Sequence, residues 1–124
     1  MKILLVDDEH ELVATLAERL EMRGYEVDWS TSGATALEKA CQTEFSLAIL
    51  DMKMPQMDGL VLRKKLEEIT PTMRFIFMTG HGSEETYQEA TSSATPVRYL
   101  IKPVNISTLT GAIDELTNRE GSHD

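Results

Sequence analysis

The sequence predicts an α/β protein: a single doubly wound domain in which helices cover both faces of a parallel sheet. Short apolar runs recur along the chain, and helical patterns alternate regularly with them. A continuous apolar run bounded by turn residues is typical of a strand buried on both faces. Regular alternation of such strands with helices indicates right-handed crossovers and therefore a parallel sheet.

Five segments have the composition of strands. The first and third are continuous apolar runs, which is typical of buried strands. The second alternates polar and apolar residues, so we expect a more exposed strand at one edge of the sheet. In chain order the five segments are Lys2–Val6, Tyr25–Trp29, Leu47–Leu50, Phe75–Met78 and Arg98–Ile101.

Five helical patterns follow these strands. Apolar residues from Leu12 to Leu20 recur at helical spacing, and Gly24 stands where a helix-ending glycine is expected. The fourth pattern, after Ser83, predicts a weak helix because it is rich in threonine and serine, and Pro96 ends it. The second, third and fifth helices are predicted to start at Ser32–Gly33, Asp58–Gly59 and Asn105.

Composition excludes several classes of protein. The chain has 124 residues and a net charge of −9, so it offers no basic surface for direct binding of nucleic acid. No apolar run is long enough to span a membrane, and Asp7–Asp8–Glu9 interrupts the first apolar segment, unlike a signal peptide. The single cysteine, Cys41, suits a reducing cytoplasm. Because it lies beside Ala40 in a helical pattern, we expect Cys41 to be buried.

Polar residues stand where four of the strands end. Asp7 and Asp8 follow the first strand, Asp51 the third, Thr79 the fourth and Lys102 the fifth. The carboxyl ends of parallel strands meet at one edge of the sheet, and ligands of open α/β sheets bind there. Taken alone, Asp51 is equally well explained as a turn cap. Together, the carboxylates, the hydroxyl and the ammonium group favour a functional site.

These residue types indicate phosphoryl chemistry with a metal ion. Neighbouring carboxylates repel one another, and their joint ionisation at neutral pH requires a cation. Mg²⁺ prefers oxygen ligands and retains several water molecules. An aspartate can also act as a nucleophile and form an aspartyl phosphate. A phosphorylated Asp51 would have the metal, Lys102 and Thr79 nearby to neutralise and position its oxygens.

The polar residues belong to motifs that occur in a recognisable order. They are Val6–Asp7–Asp8–Glu9, Leu50–Asp51 with Met54–Pro55 and Met57–Asp58–Gly59, Met78–Thr79–Gly80, and Tyr99 to Pro103. With these motifs in this order, the chain resembles the receiver domain of two-component response regulators, the phosphoaspartate switches. The resemblance implies a flavodoxin-like fold with strand order 2-1-3-4-5. It implies a receiver domain over residues 1–119, with residues 120–124 a frayed tail or the start of a linker.

The resemblance also implies roles for individual residues. Asp51 would accept a phosphoryl group from the phosphohistidine of a sensor histidine kinase or of a histidine phosphotransfer protein. Asp7, Asp8, Asp51 and the backbone carbonyl of Lys53 would hold Mg²⁺, and Lys102 would contact the phosphate. The domain would then be a regulatory phosphoacceptor, with at most self-catalysed phosphotransfer and autodephosphorylation.

Signalling would pass through a switch pair, Thr79 and Tyr99. By resemblance, the hydroxyl of Thr79 moves toward the phosphate, the ring of Tyr99 turns inward, and the surface of the fourth helix, fifth strand and fifth helix changes. The partners of the domain would be an output domain, a downstream protein, or a second copy of the chain on phosphorylation. The chain could thus be a stand-alone receiver or the front of a transcriptional regulator. Lys102–Pro103 is a candidate cis peptide.

The chain departs from the family's usual pattern before the fifth strand. It has Thr95–Pro96–Val97–Arg98 where the family usually has Gly-Ala and acidic residues. This change leaves the phosphorylation site intact and the choice of partner open. Lys53 and His81 stand where the family tunes hydrolysis of the acyl phosphate, and we expect His81 to face solvent.

Two other functions use related features. A Mg²⁺-dependent aspartyl-phosphate phosphatase usually carries a second carboxylate two residues after its nucleophile, where this chain has Lys53. A flavin-binding relative would have a glycine- and hydroxyl-rich loop after the first strand. This chain has Asp7–Asp8–Glu9 there, and its acidic residues would repel a flavin phosphate.

Overall fold

A five-stranded parallel sheet forms the centre of the structure, a computed structural model that describes residues 1–80 and 97–118. The spatial order of the strands is β2-β1-β3-β4-β5, which confirms the predicted order. Every neighbouring pair is parallel. The strands are β1 (Lys2–Val6), β2 (Glu26–Ser30), β3 (Leu47–Asp51), β4 (Arg74–Thr79) and β5 (Val97–Ile101).

Helices cover both faces of the sheet. The described helices are α1 (His10–Met22), α2 (Gly33–Gln42), α3 (Gly59–Ile69) and the last helix, α4 (Ile106–Asn118). Apolar residues of α1 and α4 pack with one set of strand residues, and those of α2 and α3 pack with the other. The helix predicted after Ser83 and the tail at 120–124 lie outside the described residues. Among the helices that the structure describes, none has the length and apolar composition needed to cross a bilayer.

The predicted capping residues mark where the helices begin. Ser32 accepts a hydrogen bond from the N–H of Thr35 at the start of α2. Asp58 accepts one from the N–H of Val61 at the start of α3, and Asn105 accepts one from the N–H of Ser107 at the start of α4. Each cap satisfies a backbone N–H group that the first helical turn leaves without an intrahelical partner.

Burial follows position in the sheet. All five residues of β3 are buried, since the strand lies in the middle and helices cover both of its faces. The edge strand β2 instead alternates exposed and half-buried residues before Ser30, as its sequence pattern predicts. The central strands can therefore carry a polar residue only at their ends, where the helices no longer cover them.

The prediction for Cys41 is wrong, because its side chain is exposed. Ala36 and Ala40 point into the core from α2, four residues apart on one face. Cys41 follows Ala40 directly, and one residue in a helix turns the side chain by about 100°. The apolar face of α2 is narrow, so this rotation carries Cys41 to the solvent side.

Candidate functional site

Strand register brings the predicted site residues to one edge of the sheet. Val6 pairs with Leu50, so Asp7 and Asp51 follow directly at the ends of neighbouring strands. Asp51 in turn pairs with Met78, the residue before Thr79. At the end of β5, the N–H of Lys102 donates a 2.7 Å hydrogen bond to the carbonyl oxygen of Thr79.

Three carboxylates converge at this edge. One oxygen from each of Asp7, Asp8 and Asp51 lies within 4.8 Å of the other two. Asp7 and Asp51 are buried, whereas Asp8 is exposed. The cluster is therefore anchored in the protein on one side and open to solvent on the other.

The donor set fits a hard divalent cation. Carboxylate oxygens are the ligands that Mg²⁺ and Ca²⁺ prefer, and the open side leaves room for water or another oxygen ligand. Asp7 Oδ2 is buried and accepts no hydrogen bond of normal geometry from the described residues, although Lys102 Nζ lies 2.8 Å away. The N–H of Lys53 lies 3.4 Å from Asp51 Oδ1, so the Lys53 peptide is adjacent to the cluster.

Lys102 places a single ammonium group among these carboxylates. Its Nζ is 2.8 Å from Asp7 Oδ2 and 3.5 Å from Asp51 Oδ2. Burial lowers the pKa of Lys102, but the close contact with the carboxylate of Asp7, together with the charges of Asp51 and Glu9, outweighs burial and raises that pKa above its ordinary value. Lys102 is therefore a permanent cation at neutral pH.

Asp51 is held in an environment that disfavours its charge. Burial and the neighbouring Asp7 carboxylate raise the pKa of Asp51 to about 6, although Lys102 and the Lys53 N–H act in the opposite direction. A carboxyl group with this pKa is mostly ionised at pH 7. Its incompletely compensated negative charge makes it responsive to an added cation.

The switch residues predicted from the resemblance lie near this edge. Thr79 is the last residue of β4 and is buried. Tyr99 is half-buried on the neighbouring strand β5, packs against the core on the α2 and α3 face, and has a buried hydroxyl oxygen. The Lys102–Pro103 peptide bond is cis. His81 lies outside the described residues.

Two residues at the site had no predicted role. Glu9 Oε1 lies 3.4 Å from Lys102 Nζ, a contact between segments that are distant in sequence. Gly59, at the start of α3, sits so close to β3 that a Cβ atom there would lie 2.6 Å from the carbonyl oxygen of Asp51. The Asp58–Gly59 pair predicts the start of a helix, but it does not predict this close approach to β3.

Comparison with known proteins identifies a family. Residues 3–114 match the family model of the response regulator receiver domain. The receiver domain protein of Methanospirillum hungatei superposes with a TM-score of 0.87 at 33 % identity, over 96 % of this chain and 95 % of that one. A response regulator of Burkholderia pseudomallei superposes with a TM-score of 0.82 at 29 % identity, over 97 % and 72 % of the two chains. That structure contains a phosphorylated aspartic acid, a calcium ion and citrate.

Curated relatives fall into two size classes. The chain is 30 % identical to the response regulator receiver protein CpdR of Brucella abortus, over 93 % of this chain and 95 % of that protein. It is 31 % identical to sporulation initiation phosphotransferase F of Bacillus subtilis, over 90 % of each. It is 36 % identical to the transcriptional regulatory protein GlrR of Escherichia coli, but spans only 25 % of that protein.

The matches agree with the geometry of the site. They give no support to a phosphatase or a flavin-binding protein. Receiver domains are regulatory phosphoacceptors that work with histidine kinases and output domains, and the sheet edge described above carries the acidic cluster expected of them. The fold, the strand order and the family match lead to one assignment: this chain belongs to the response regulator receiver domain family of two-component systems.

Proposed function

We propose that Asp51 is the phosphoacceptor of this receiver domain, and that it takes the phosphoryl group from a phosphohistidine of a sensor kinase or a phosphotransfer protein. One observation carries this proposal: Asp51 ends the central strand β3 within the acidic cluster it shares with Asp7 and Asp8, 3.5 Å from the ammonium group of Lys102, in surroundings that raise its pKa to about 6. A structural ion pair would need one carboxylate for one lysine, whereas the carboxylates of Asp7, Glu9 and Asp51 all lie within 3.5 Å of Lys102 Nζ.

The transfer step follows from the chemistry of the acceptor. A carboxylate oxygen of Asp51 attacks the phosphorus atom, the O–P bond forms, and the P–N bond to histidine breaks. The electron pair of that bond remains on the imidazole nitrogen, which takes up a proton. With a pKa of about 6, Asp51 is ionised at neutral pH and yet poorly neutralised, as a nucleophile requires.

Neighbouring residues bind and orient the transferred group. Lys102 supplies a positive charge to the phosphoryl oxygens, and the hydroxyl of Thr79 donates a hydrogen bond to them. Asp7, Asp8, Asp51 and the Lys53 carbonyl would hold Mg²⁺. When bound, Mg²⁺ supplies charge neutralisation at the phosphoryl oxygens. The phosphorylated aspartic acid and calcium ion in the Burkholderia pseudomallei relative support this assignment.

The phosphorylated domain would signal through its β5 side. Thr79 ends β4, and Tyr99 lies on the adjacent strand β5 opposite Phe77, two residues before Thr79, so movement of the Thr79 hydroxyl toward the phosphate would change the packing around the Tyr99 ring. We infer that the resulting surface binds an output domain, a downstream protein or a second copy of the chain. The charge change at Asp51 biases this element between two states, the general logic of such switches.

Labelling with acetyl phosphate and Mg²⁺ tests the phosphoacceptor. The Asp51→Asn variant is expected to lose all incorporation, since an amide oxygen is not a nucleophile at neutral pH. Asp58→Asn is the matched control: it also removes one carboxylate near the site, and asparagine caps a helix as well as aspartate. Incorporation should be measured by intact-mass spectrometry. Full labelling of Asp51→Asn would refute the assignment.

A further inference from the structure

Glu9 occupies an unusual position between the acidic cluster of Asp7, Asp8 and Asp51 and the side chain of Lys102. It is the last residue before α1, and its side chain makes no capping hydrogen bond with that helix. Its backbone N–H instead donates a 2.9 Å hydrogen bond to Asp7 Oδ1. Its carboxylate turns toward Lys102, with Oε1 at 3.4 Å from Nζ. Glu9 therefore contacts both residues that flank the acceptor.

The ammonium group of Lys102 is shared among three carboxylates. Its Nζ lies 2.8 Å from Asp7, 3.4 Å from Glu9 and 3.5 Å from Asp51. Asp7 and Glu9 both lie just before α1, so two of the three attractions act from the α1 side. The acceptor Asp51 holds the most distant of the three oxygens.

We propose that Glu9 is a positioning residue, which holds Lys102 on the α1 side and competes for it with the phosphoryl group on Asp51. The proposal rests on the proposed function of Asp51. Glu9 is outside the cluster of Asp7, Asp8 and Asp51 that could hold a cation. A cation bound there would neutralise Asp7 but leave the carboxylate of Glu9 free to attract Lys102. Glu9 thereby sets how readily the ammonium group of Lys102 contacts the phosphoryl group on Asp51.

A purely structural role for Glu9 makes a different prediction. A negative charge at the start of a helix stabilises that helix through its dipole. Glu11 lies in the first turn of α1, two residues after Glu9, and is exposed. Glu11→Gln removes the same charge at the same end of the helix and serves as the matched control. An effect that works through the helix or the net charge should be alike in both variants.

The test compares labelling rates with acetyl phosphate and Mg²⁺ in Glu9→Gln and Glu11→Gln. Because an exposed ion pair is weak, we expect Glu9→Gln to label roughly two- to fivefold faster than Glu11→Gln. The gain should vanish when both variants also carry Lys102→Met. In protein labelled with ¹⁵N-lysine, the ammonium signal of Lys102 should shift in Glu9→Gln without any phosphodonor, and should not shift in Glu11→Gln.

Two results would overturn the proposal. One is an equal labelling rate for Glu9→Gln and Glu11→Gln, and the other is a rate gain that persists in the Lys102→Met background. Both are distinct from failure of the proposed function, which would appear as labelling of Asp51→Asn at the wild-type rate. The ammonium signal of Lys102 further separates failure of the Glu9 proposal from failure of the proposed function, since the contact between Glu9 and Lys102 requires no phosphoryl group.

Discussion

At the scale of single residues, the surroundings of Asp51 disfavour its ionised form. Its carboxyl group is buried beside Asp7, and the two carboxylates share the ammonium group of Lys102. The pKa of Asp51 is raised to about 6 by burial first and by Asp7 second. Folding therefore disfavours ionisation of Asp51. A cation or a phosphoryl group that changes the charge at Asp51 should accordingly change the stability of the fold.

This raised pKa predicts that Asp51→Asn stabilises the metal-free protein. The pKa of Asp51 is about 6 when folded and near 3.8 when unfolded, so its ionisation destabilises the fold progressively from about pH 4 upward and fully above pH 6. The variant should therefore equal the wild type in stability near pH 4 and exceed it by about 3 kcal/mol at pH 7.5.

Urea unfolding in the presence of a chelator, at a series of pH values, measures this difference. Asp58→Asn serves again as the control and should show no such rise between pH 4 and pH 7.5. A difference between Asp51→Asn and the wild type that stays constant with pH would contradict the prediction.

At the scale of elements, the contact between β3 and α3 positions Asp51, the proposed acceptor. Asp51 ends β3, and Gly59 begins α3 after a short loop. The N–H of Gly59 donates a 2.9 Å hydrogen bond to the carbonyl oxygen of Met52. A Cβ atom at residue 59 would meet the carbonyl oxygen of Asp51 at 2.6 Å and the Cα of Met52 at 3.1 Å. Only glycine allows the helix to start this close to the strand.

Gly59→Ala is accordingly expected to destabilise the domain by roughly 2 kcal/mol, because backbone atoms must move to admit the methyl group. Gly111→Ala is the control, since Gly111 lies within α4 and a Cβ atom added there would meet no other atom within 4 Å. That variant should gain about 0.5–1 kcal/mol from higher helix propensity. Chemical denaturation measures both free energies of unfolding, and a neutral Gly59→Ala would contradict the close-contact argument.

At the scale of the whole molecule, the acidic cluster concentrates charge in a chain whose net charge is already −9. Several carboxylates at one edge of the sheet repel each other, and a bound cation would relieve that repulsion only in the folded state. Binding to the folded state alone stabilises a protein in proportion to the logarithm of ligand concentration. The edge where we place the proposed chemistry is thus also the place where a bound cation would raise stability.

Mg²⁺ should therefore raise the free energy of unfolding at pH 7.5, by about 1.4 kcal/mol when its concentration is ten times its dissociation constant. Below pH 6 the effect should fall, because protons then occupy Asp51. Thermal unfolding with and without Mg²⁺ measures the shift. Asp8→Asn should lose most of it, whereas Asp28→Asn, on the exposed strand β2, should retain it. Equal shifts in both variants would contradict a metal site at Asp8.

The sequence by itself determined the fold class, the strand order through the family resemblance, the helix starts and the edge where the site forms. These properties depend on local patterns: apolar runs, helical periodicity, and caps such as Ser32, Asp58 and Asn105. The convergence of Asp7, Asp51 and Lys102 was also predictable, because the ends of parallel strands must meet at one edge. Strand limits shifted by a residue or so, as for β2, since pairing with neighbours decides where a strand ends.

Only the tertiary structure decided which groups touch. It placed Glu9 against Lys102, 93 positions away in the chain, and Gly59 against the backbone of Asp51. It also turned Cys41 outward, although the residue before it is buried. Such contacts depend on the distance and angle between packed elements, to a fraction of an ångström. A local sequence pattern records which face of an element is apolar, but not how closely that element approaches its neighbours.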